Sequence, residues 1–573
     1  MSNLDWIVLS VTLIVIIAYG LYKSRTSKDL EGYFLNNRTM PWYLILLSIM
    51  GTQASAITFL SAPGQAFTDG MRFVQYYFGL PIAMVIVCIT FVPLFSKLKL
   101  FTAYEFLEQR FDLKTRTFTS FLFLLSRGLS TGISIYAPSL ILSSLLGWDI
   151  FWTNIVMGGL LIVYTVSGGA KAVAYTQQLQ MIIIFSGMAI AGYYVIHLLP
   201  ENIGFKEALN VSGASGKLNV ITTGVTKSGF DWKDKYNIIS GVIGGFFLAL
   251  SYFGTDQSQV GRYLTAKNDT ESKLGLLMNG LVKVPMQFLI LLLGALLFSF
   301  YQFKPQPIFF NSAVQEKVLQ SNQKNNAEIL EHQFSLINTQ KQEVLDHWKA
   351  NEVQSKQKLN ALNQQSDALR KKYKSLIKST DKTLDDNDTN YVFLRFVVDY
   401  LPQGLVGLLI AIIFLAAWGS IAAALNSQAS CSVIDFHLRF KKHHLHPDTS
   451  DLAEERKYHI SRYYTFAWGI FSVIVAEFAT GMGSLIEAVN VIGSLFYGVI
   501  LGIFLVAFYC KRIESNAVFV AAIIGELFVI ALFFLDKYNI IGLGFLWLNV
   551  AGAMMVVGLS YMLQSLSWKK KLA

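Results

Sequence analysis

Long apolar stretches, separated by short polar segments, recur along most of the chain. Because a helix needs ~20 largely apolar residues to cross a bilayer, this pattern predicts an all-α integral membrane protein with about thirteen membrane-spanning helices. The predicted helices lie at residues 4–22, 42–66, 73–95, 118–146, 151–166, 176–199, 238–256, 276–303, 403–434, 463–485, 486–510, 515–535 and 541–564. We therefore expect a multi-pass protein of the cell membrane that contacts lipid along many of these helices.

Lysine and arginine are unevenly divided between the segments that join these helices. With the N-terminus placed outside the cell, the cytoplasmic segments contain 24 basic residues and the short outer loops contain 7. Cytoplasmic loops of membrane proteins carry the excess of basic residues. We therefore predict that the N-terminus is outside and the C-terminus inside. The net charge of +10 has the same origin and does not imply binding of nucleic acid.

The second apolar stretch, at 42–68, is interrupted by residues that form helices poorly. Its middle reads GTQASA and its far end reads SAPGQ. Glycine loosens the backbone, serine and threonine offer it competing hydrogen bonds, and proline removes a donor. A helix break inside a membrane is tolerated only where protein, water or an ion satisfies the freed backbone groups. The sequence therefore predicts a break near the bilayer midplane and a binding site beside it.

The seventh stretch, at 238–259, is interrupted in the same way at 250–255. It follows the first interrupted stretch by five predicted helices. Paired irregular helices at corresponding places in two five-helix units are typical of transporters built from inverted repeats, with a binding site at the midplane. The alternative is a pair of glycine-rich helices that pack closely against their neighbours.

The ninth stretch contains residues suited to an alkali cation. Ala416 and Ser420 are four residues apart and therefore lie on one face of a helix. Hydroxyls, and carbonyls released at a helix break, can hold Na⁺ without a carboxylate. A serine inside a helix commonly bonds back to its own backbone, so the sodium hypothesis depends on pairing Ser420 with the first break.

Four segments of the chain resemble the sodium/solute symporter family, which has the LeuT-type fold. They are GYFLNNRTMPWY at 32–43, SIYAPSLIL at 134–142, SGGAKAVAYTQQLQ at 167–180 and AALNSQAS at 423–430. The second segment is most similar to the branch that includes the iodide, multivitamin and monocarboxylate transporters. The resemblance implies a 5+5 inverted repeat, divided into an extra helix and loop at 1–41, a first unit at 42–237, a second unit at 238–510 and two further helices at 511–573.

The same resemblance implies one principal sodium site. Its ligands would be two carbonyls at the first break, with one carbonyl and one hydroxyl from the ninth helix: Gly51, Ala54, Ala416 and Ser420. Relatives usually have two adjacent hydroxyl residues in this helix, and here the first is Gly419. Gln177 stands where relatives commonly have an aspartate, and Ala422 and Ala423 replace hydroxyl residues. We therefore expect one Na⁺ per transport cycle, at a site that lacks one ligand oxygen.

A solute cavity is expected beside the sodium site. By the resemblance, its side chains come from the two breaks and the helices next to them: Gln53, Ser55, Thr58, Tyr77, Tyr252 and Lys283. Lys283 aligns with a lysine that contacts substrate in sugar-transporting relatives, although its place near a helix end would also let it reach the interface. Asn490 is a further polar candidate, whereas Asp256 and Glu487 are expected at the membrane interface.

Residues 311–390 form a long polar segment with neither glycine nor proline, and with 12 basic and 11 acidic residues. Apolar residues recur there in alternating steps of four and three, as at Leu330, Phe334 and Ile337. We expect an antiparallel helical hairpin on the outer face, within an insertion at 304–402. It is either an arm that binds a protein partner or a tolerated loop insertion.

These features favour a Na⁺-coupled secondary active transporter that carries a small organic solute or anion by alternating access. A sugar, a carboxylate and a small anion fit the expected cavity equally well. The alternative is a transporter-like sensor that signals through the outer hairpin. An enzyme is disfavoured because the sequence lacks a Walker lysine motif, an HExxH motif and a GxSxG motif in a strand–turn–helix setting.

Overall fold

The computed structural model describes residues 1–23, 29–346, 348, 352–441, 451–480 and 482–572. Regular structure in this part of the chain is almost entirely helical. Its one sheet is a small antiparallel hairpin, formed by β1 (Val225–Thr226) and β2 (Gly229–Phe230). The expectation of an all-helical protein is confirmed.

The helices are numbered in chain order. Those before the polar insertion are α1 Asn3–Lys23, α2 Leu30–Leu35, α3 Trp42–Gln53, α4 Ala56–Asp69, α5 Leu80–Ile86, α6 Val92–Leu98, α7 Glu105–Arg110, α8 Leu113–Leu146, α9 Ile150–His197, α10 Phe205–Ala214, α11 Gly245–Gly254, α12 Gln257–Tyr263 and α13 Asp269–Phe303. Those of the insertion and beyond are α14 Ser312–Leu319, α15 Lys324–Asp346, α16 Glu352–Thr380, α17 Val392–Tyr400, α18 Leu405–Cys431, α19 Leu438–Lys441, α20 Asp451–Glu477, α21 Leu485–Tyr509, α22 Ser515–Lys537 and α23 Leu546–Leu572. Short 3₁₀ or π segments lie at Asn36–Arg38, Met71–Tyr77, Val87–Phe91, Ser240–Gly244, Thr389–Tyr391 and Ser432–His437.

Many of these helices suit a membrane. Among the described residues, nine helical spans are long and apolar enough to cross a bilayer, and the bent pair α3 and α4 makes a tenth. Ile150–Val163 and Ser240–Gly254 are apolar but shorter. The chain is thus a multi-pass membrane protein, as the apolar pattern predicts.

One predicted loop is wrong. Helical geometry continues through residues 167–175, where two separate helices were expected to join, so that α9 runs unbroken over Ile150–His197. This segment begins with a serine and two glycines, which disfavour a helix, but it also contains three alanines and a lysine, which favour one, and no proline. The sequence becomes less apolar at 167–175, but the helix continues through these residues.

The first predicted break is confirmed. Helices α3 and α4 are bent by 61° relative to each other. Ala54 and Ser55 lie between them, and Ser55 has extended backbone geometry with ψ of 174°. The break falls within the GTQASA segment, where side chains and backbone both weaken the helix.

The second predicted break is also confirmed, at the end of the expected window. Helix α11 ends at Gly254, Thr255 and Asp256 are non-helical, and α12 begins at Gln257. The glycines before this break also allow close packing, because a side chain at Gly241 or Gly245 would collide with the backbone of the 3₁₀ segment Met71–Tyr77. This stretch therefore contains both a helix break and glycines that allow close packing, which the sequence had left as alternatives.

Helix α18 lies at the centre of the fold. Nearly every residue from Val406 to Cys431 is buried, and the helix contacts α3, α4, α8, α9 and α20. A helix that is apolar on all sides is expected to be surrounded by protein or lipid. Here protein surrounds it, so the segment with Ala416 and Ser420 is positioned by the core.

The insertion forms the expected antiparallel hairpin. Helices α15 and α16 pack together through an apolar cluster that includes Phe334, Leu369 and Tyr373, with Leu330 and Ile337 beside it. A second cluster joins Leu345 and Leu359 of the hairpin to Val211 in α10. Residues 347 and 349–351 at the hairpin tip lie outside the described residues.

Candidate functional site

The first break redirects backbone hydrogen bonds. In a continuous helix the amides of Ser55 and Thr58 would donate to the carbonyls of Gly51 and Ala54. Here Ser55 N–H donates to the Gln53 carbonyl at 3.1 Å, and Thr58 N–H donates to the Ser55 carbonyl at 2.9 Å. The carbonyls of Gly51 and Ala54 therefore lose their usual helical donors, which suits a role as cation ligands.

The two other predicted sodium ligands lie on α18, which packs against both α3 and α4. Ala416 is 2% exposed and Ser420 is 7% exposed. The Ser420 hydroxyl donates to the Ala417 carbonyl at 3.0 Å, so the ordinary bond of a serine to its own helix is present. This bond uses the hydroxyl proton and leaves an oxygen lone pair for a cation.

Gln177 of α9 joins the two sides of this junction. Its side-chain oxygen accepts from Ser48 Oγ at 2.7 Å. Its amide nitrogen donates to the Gly419 carbonyl at 2.9 Å and to Thr52 Oγ1 at 3.2 Å. A fully buried neutral amide thus links α3, α9 and α18 at the position where relatives commonly have an aspartate.

A neighbouring glutamine explains why a small residue stands at Gly419. A Cβ at this position would collide with Oε1 of Gln180, and would lie 3.3 Å from Cγ of Gln177. Gln180 is 2% exposed, and its amide nitrogen has no hydrogen-bond partner. The hydroxyl that relatives have in place of Gly419 would therefore need Gln180 to move.

On the solute side, the structure brings together three of the predicted residues. The Lys283 ammonium lies 5.5 Å from the centre of the Tyr77 ring. The Tyr77 and Tyr76 rings meet edge to face at 4.7 Å, and Tyr76 Oη donates to Asn490 at 3.0 Å. Tyr77, Lys283 and Asn490 therefore belong to one polar and aromatic cluster. The cluster includes Tyr76, which the sequence reasoning missed.

Lys283 is one of three buried polar residues that lie along one face of α13. Asn279, Lys283 and Gln287 are four residues apart, and each is fully buried. The side-chain nitrogen of Lys283 and both polar side-chain atoms of Asn279 and Gln287 have no hydrogen-bond partner. The sequence reasoning missed Asn279 and Gln287, although polar residues at helical spacing in an apolar stretch would have identified them.

The predicted residues at the first break lie on elements that contact α13. Gln53 is half-buried and its side-chain oxygen has no partner, Ser55 is half-buried, and Thr58 is buried. Helix α13 packs on both α3 and α4. No hydrogen bond among the described residues joins these three side chains directly to the Lys283 cluster.

The second break is held by charged and aromatic side chains. Asp256, expected at the membrane interface, is 2% exposed and therefore buried within the protein. It accepts from the amide and hydroxyl of Ser258 at 2.8 and 2.6 Å and from Tyr497 Oη at 2.9 Å. Arg127 lies 3.9 Å from it. A carboxylate near a span end is therefore buried here because partners from other helices satisfy it.

Tyr252 lies beside this group. Its hydroxyl accepts from Gln259 at 2.7 Å and from Arg127 at 3.3 Å, and the Arg127 guanidinium lies 5.6 Å from the centre of its ring. Glu487, which was also expected at the interface, is half-buried and forms an ion pair with Lys235.

Comparison with known proteins places this geometry among transporters. The model of the sodium:solute symporter family matches residues 33–338 and 380–525. The sodium/sialic acid symporter NanT of Aliivibrio fischeri is 25% identical, over 98% of this chain and 93% of its own length. Human sodium-coupled monocarboxylate transporter 1 is 31% identical, over 48% of this chain and 44% of its own length.

A solved structure shares the fold. It is described as the substrate-bound outward-open state of a Na⁺-coupled sialic acid symporter. Its TM-score is 0.74, with 23% sequence identity, over 99% of this chain and 98% of the solved chain. The likeness covers both broken helices and the insertion between α13 and α17.

Proposed function

Since this chain belongs to the sodium:solute symporter family, we propose that the solute it carries is a small organic carboxylate. The family is one of transporters rather than enzymes, and Na⁺ is the coupling ion of this symporter. Inward movement of one Na⁺ contributes ~2.3 kcal/mol per 100 mV of membrane potential. The family does not specify the solute, so we infer its chemical class from the residues of the site.

The observation that carries the proposal is the unpaired ammonium of Lys283. This side chain is fully buried, and its nitrogen has no hydrogen-bond partner. A buried charge without a partner costs several kcal/mol. A carboxylate on the solute would supply the missing partner, which favours an acid over the neutral sugar that the sequence left equally open. Among the relatives, those named for sialic acid and for monocarboxylates carry acids.

The remaining polar groups suit the uncharged part of such a solute. Asn279 and Gln287 flank Lys283 with unsatisfied amide groups. We assign the solute contacts to these two residues together with the set expected from the sequence: Gln53, Ser55, Thr58, Tyr77, Tyr252, Lys283 and Asn490. Tyr252 would cover the solute on the side of the second break.

Sodium is proposed to bind where the first break meets α18. Its ligands are the carbonyls of Gly51, Ala54 and Ala416 and the hydroxyl of Ser420. The redirected amides of Ser55 and Thr58 support this assignment. Since an ion that tightens solute binding is itself bound more tightly by the solute, each should raise the affinity of the other. We propose that one Na⁺ is carried in each transport cycle.

The finer topology is part of the proposal. The two breaks and the shared fold support a LeuT-type 5+5 inverted repeat, with the N-terminus outside, the C-terminus inside and the insertion on the outer face. The proposed thirteen spans count the two apolar parts of α9, Ile150–Val163 and Ala170–His197, separately. The repeat units are assigned to 42–237 and 238–510, with the additional segments at 1–41, 304–402 and 511–573.

Uptake into proteoliposomes tests both halves of the proposal. With an inward Na⁺ gradient, sialic acid or a short monocarboxylate should accumulate, and a K⁺ gradient should not support it. Lys283→Met should lower the rate at least about tenfold, because a charged hydrogen bond contributes ~1.5–3 kcal/mol. Lys273→Met, a change in the same helix near its start, serves as the control. Uptake that ignores Na⁺ would exclude the sodium site, and unchanged acid uptake by a folded Lys283→Met protein would exclude the carboxylate.

The second candidate function is a transporter-like sensor that signals through the insertion. One contact favours it, because the end of the insertion at Thr389 packs directly on Gly64 of α4, the helix that follows the first break. A pure transporter should still accumulate solute when the hairpin is removed, whereas a sensor should lose its signal.

A further inference from the structure

A second cavity lies between the insertion and the membrane helices. Its volume is about 570 Å³, within the range of ~300–1,000 Å³ that is usual for small-molecule sites. Phe67 and Thr68 at the end of α4 and Phe298 and Gln302 near the end of α13 form one side. The hairpin helices α15 and α16 form the other side.

The lining of this cavity is strongly basic. It contains five basic side chains and one acidic side chain: Lys217, Lys341, Arg370, Lys371 and Lys374, with Asp367. Asp388, behind the lining, pairs with Arg370 at 2.5 Å and with Lys374 at 3.2 Å and offsets one of the five positive charges, while Asp367 offsets another. An excess of positive charge remains on Lys217, Lys341 and Lys371.

Lys341 is the most unusual of these residues. It is 2% exposed, although it lies in the polar hairpin. It has neither a hydrogen bond nor an ion pair with any described residue. Burial lowers its pKa to about 8, while the nearby Asp367 carboxylate acts in the opposite direction. A lysine of this kind is in need of an anionic partner.

Gln302 provides an independent sign of a ligand. It is 2% exposed and lines the cavity from α13, and neither polar atom of its side chain has a hydrogen-bond partner. Buried amides are nearly always hydrogen-bonded. A cation and an amide that both lack hydrogen-bond partners among the described residues therefore line the same cavity.

We propose that this cavity is a second binding site for a small organic carboxylate, held by Lys341 and Lys371 and by the amide of Gln302. The site is separate from the Lys283 cluster. Lys283 and Gln302 lie on the same helix, and at 1.5 Å per residue their positions are about 28 Å apart. The site does not depend on which solute the membrane helices carry.

The hairpin residues of the site lie outside the part of the chain that matches the family model. Lys341, Arg370, Lys371 and Lys374 all fall between the two segments that match the family model, 33–338 and 380–525. The site also adjoins the transport helices, because Phe310 of the insertion packs on Phe67 of α4 at 5.4 Å. A carboxylate bound here bridges the hairpin and the membrane part.

Calorimetric titration of the full-length protein in nanodiscs tests the proposal. The Lys283→Met background is titrated in KCl without Na⁺, so that the central site does not contribute. The probes are sialic acid, a short monocarboxylate, inorganic phosphate and a neutral hexose. We expect at least one of the two carboxylates to bind and the hexose not to bind. Lys341→Gln and Lys371→Gln should each weaken carboxylate binding at least about tenfold.

Lys372→Gln is the matched control, because Lys372 is exposed on the same helix and does not line the cavity. Lys371 is also exposed, so its replacement tests the site without disturbing buried packing. Equal carboxylate affinity in all variants, or no binding in the parent protein, would overturn the proposal. Binding of phosphate alone would overturn the assignment to a carboxylate. Since uptake by the Lys283 variants tests the central site, the two proposals can fail separately.

Discussion

Gln177 shows how one buried side chain can join three helices. Three helices meet at this amide, which uses its oxygen and its nitrogen to satisfy Ser48, Thr52 and the Gly419 carbonyl. Each of these groups is buried, and a buried polar group that loses its partner is costly. A neutral amide can therefore stabilise a junction where relatives commonly have a charge.

We expect Gln177→Ala to destabilise the protein by ~1–3 kcal/mol, because it leaves the buried Ser48 hydroxyl without its acceptor and removes the bonds from the amide to Thr52 and to the Gly419 carbonyl. Unfolding in detergent, followed by tryptophan fluorescence, measures the loss. Gln178→Ala is the control, since Gln178 is half-buried on the same turn, and its effect should stay within ~0.5 kcal/mol. Equal stability of the two variants would contradict the bridging role of Gln177.

Lys341 leads to a prediction about pH. Its pKa of about 8 lies below the ordinary 10.5 because of burial. The charged groups that line the cavity with it are Asp367, Arg370, Lys371 and Lys374 on α16, together with Lys217 from the loop after α10. Carboxylate affinity at this cavity should therefore fall about tenfold between pH 7 and pH 9, as the ammonium loses its proton. Titration at the two pH values measures the change, and Lys341→Gln should show a smaller one.

The effect on stability has the opposite sign. Between pH 8 and pH 10.5 the unfolded chain keeps a proton on Lys341 that the folded protein has lost. The free energy of unfolding contributed by this residue therefore rises with pH across this window. A fall in stability that disappears in Lys341→Gln would contradict the assigned direction.

The two broken spans are stabilised in different ways. At the first break, α3 and α4 both contact α18, and the residues from Gly51 to Ser55 are all uncharged. At the second break, Asp256 caps α12 and gathers Ser258, Tyr497 and Arg127. The first arrangement leaves carbonyls available for an ion, whereas at the second the protein itself supplies the partners of the Asp256 carboxylate. The second break is therefore expected to have mainly a structural role, with Tyr252 as its contact to the solute.

A double-mutant cycle tests the internal satisfaction of the second break. Asp256→Ala alone should cost ~3–5 kcal/mol, because it leaves Arg127 buried without a counter-charge. The double variant Arg127→Met/Asp256→Ala should regain much of this loss, since replacement of both partners of a buried pair is often close to neutral. Unfolding midpoints of the four proteins give the coupling energy. Additive effects would show that the two residues do not act together.

The insertion is fastened to the membrane part at its base. The Phe310 amide donates to Asp388 at 2.9 Å, so the two ends of the insertion lie side by side. Asn390 donates to the Gly483 carbonyl at 3.1 Å. The hairpin itself has a separate apolar core. This arrangement allows the hairpin to be removed while the contacts with α4 and α21 remain.

Replacement of residues 312–386 by a short Gly-Ser linker should preserve Na⁺-driven uptake, because the adjacent ends at Phe310 and Asp388 can be joined without strain. The same deletion should abolish carboxylate binding at the second cavity, since it removes Lys341 and Lys371. Uptake in proteoliposomes and calorimetry in nanodiscs measure the two effects. Loss of uptake by a protein that folds and inserts normally would favour the sensor-like function.

The positions of both breaks and the helical hairpin could be predicted from the sequence because they depend on local chemistry. Glycine, serine and threonine close together, as at Gly51 and Ser55, weaken a helix in any protein. The spacing of Leu330, Phe334 and Ile337 produces an apolar face in any helix. The resemblance to the family then supplied the proposed sodium ligands and most of the proposed solute contacts. The prediction of a loop at 167–175 was wrong because it relied on the lower apolarity of this segment, and a polar segment can still be helical.

Tertiary packing was needed for everything that depends on distant partners. Asp256 is buried because Arg127 and Tyr497 reach it from other helices, and no local pattern states this. Gly419 is small because Gln180 occupies the adjacent space. The basic cavity exists because α15 and α16 face the end of α13. Helix breaks follow from the residues at the break, whereas the burial of a charge depends on which side chains the fold brings to it.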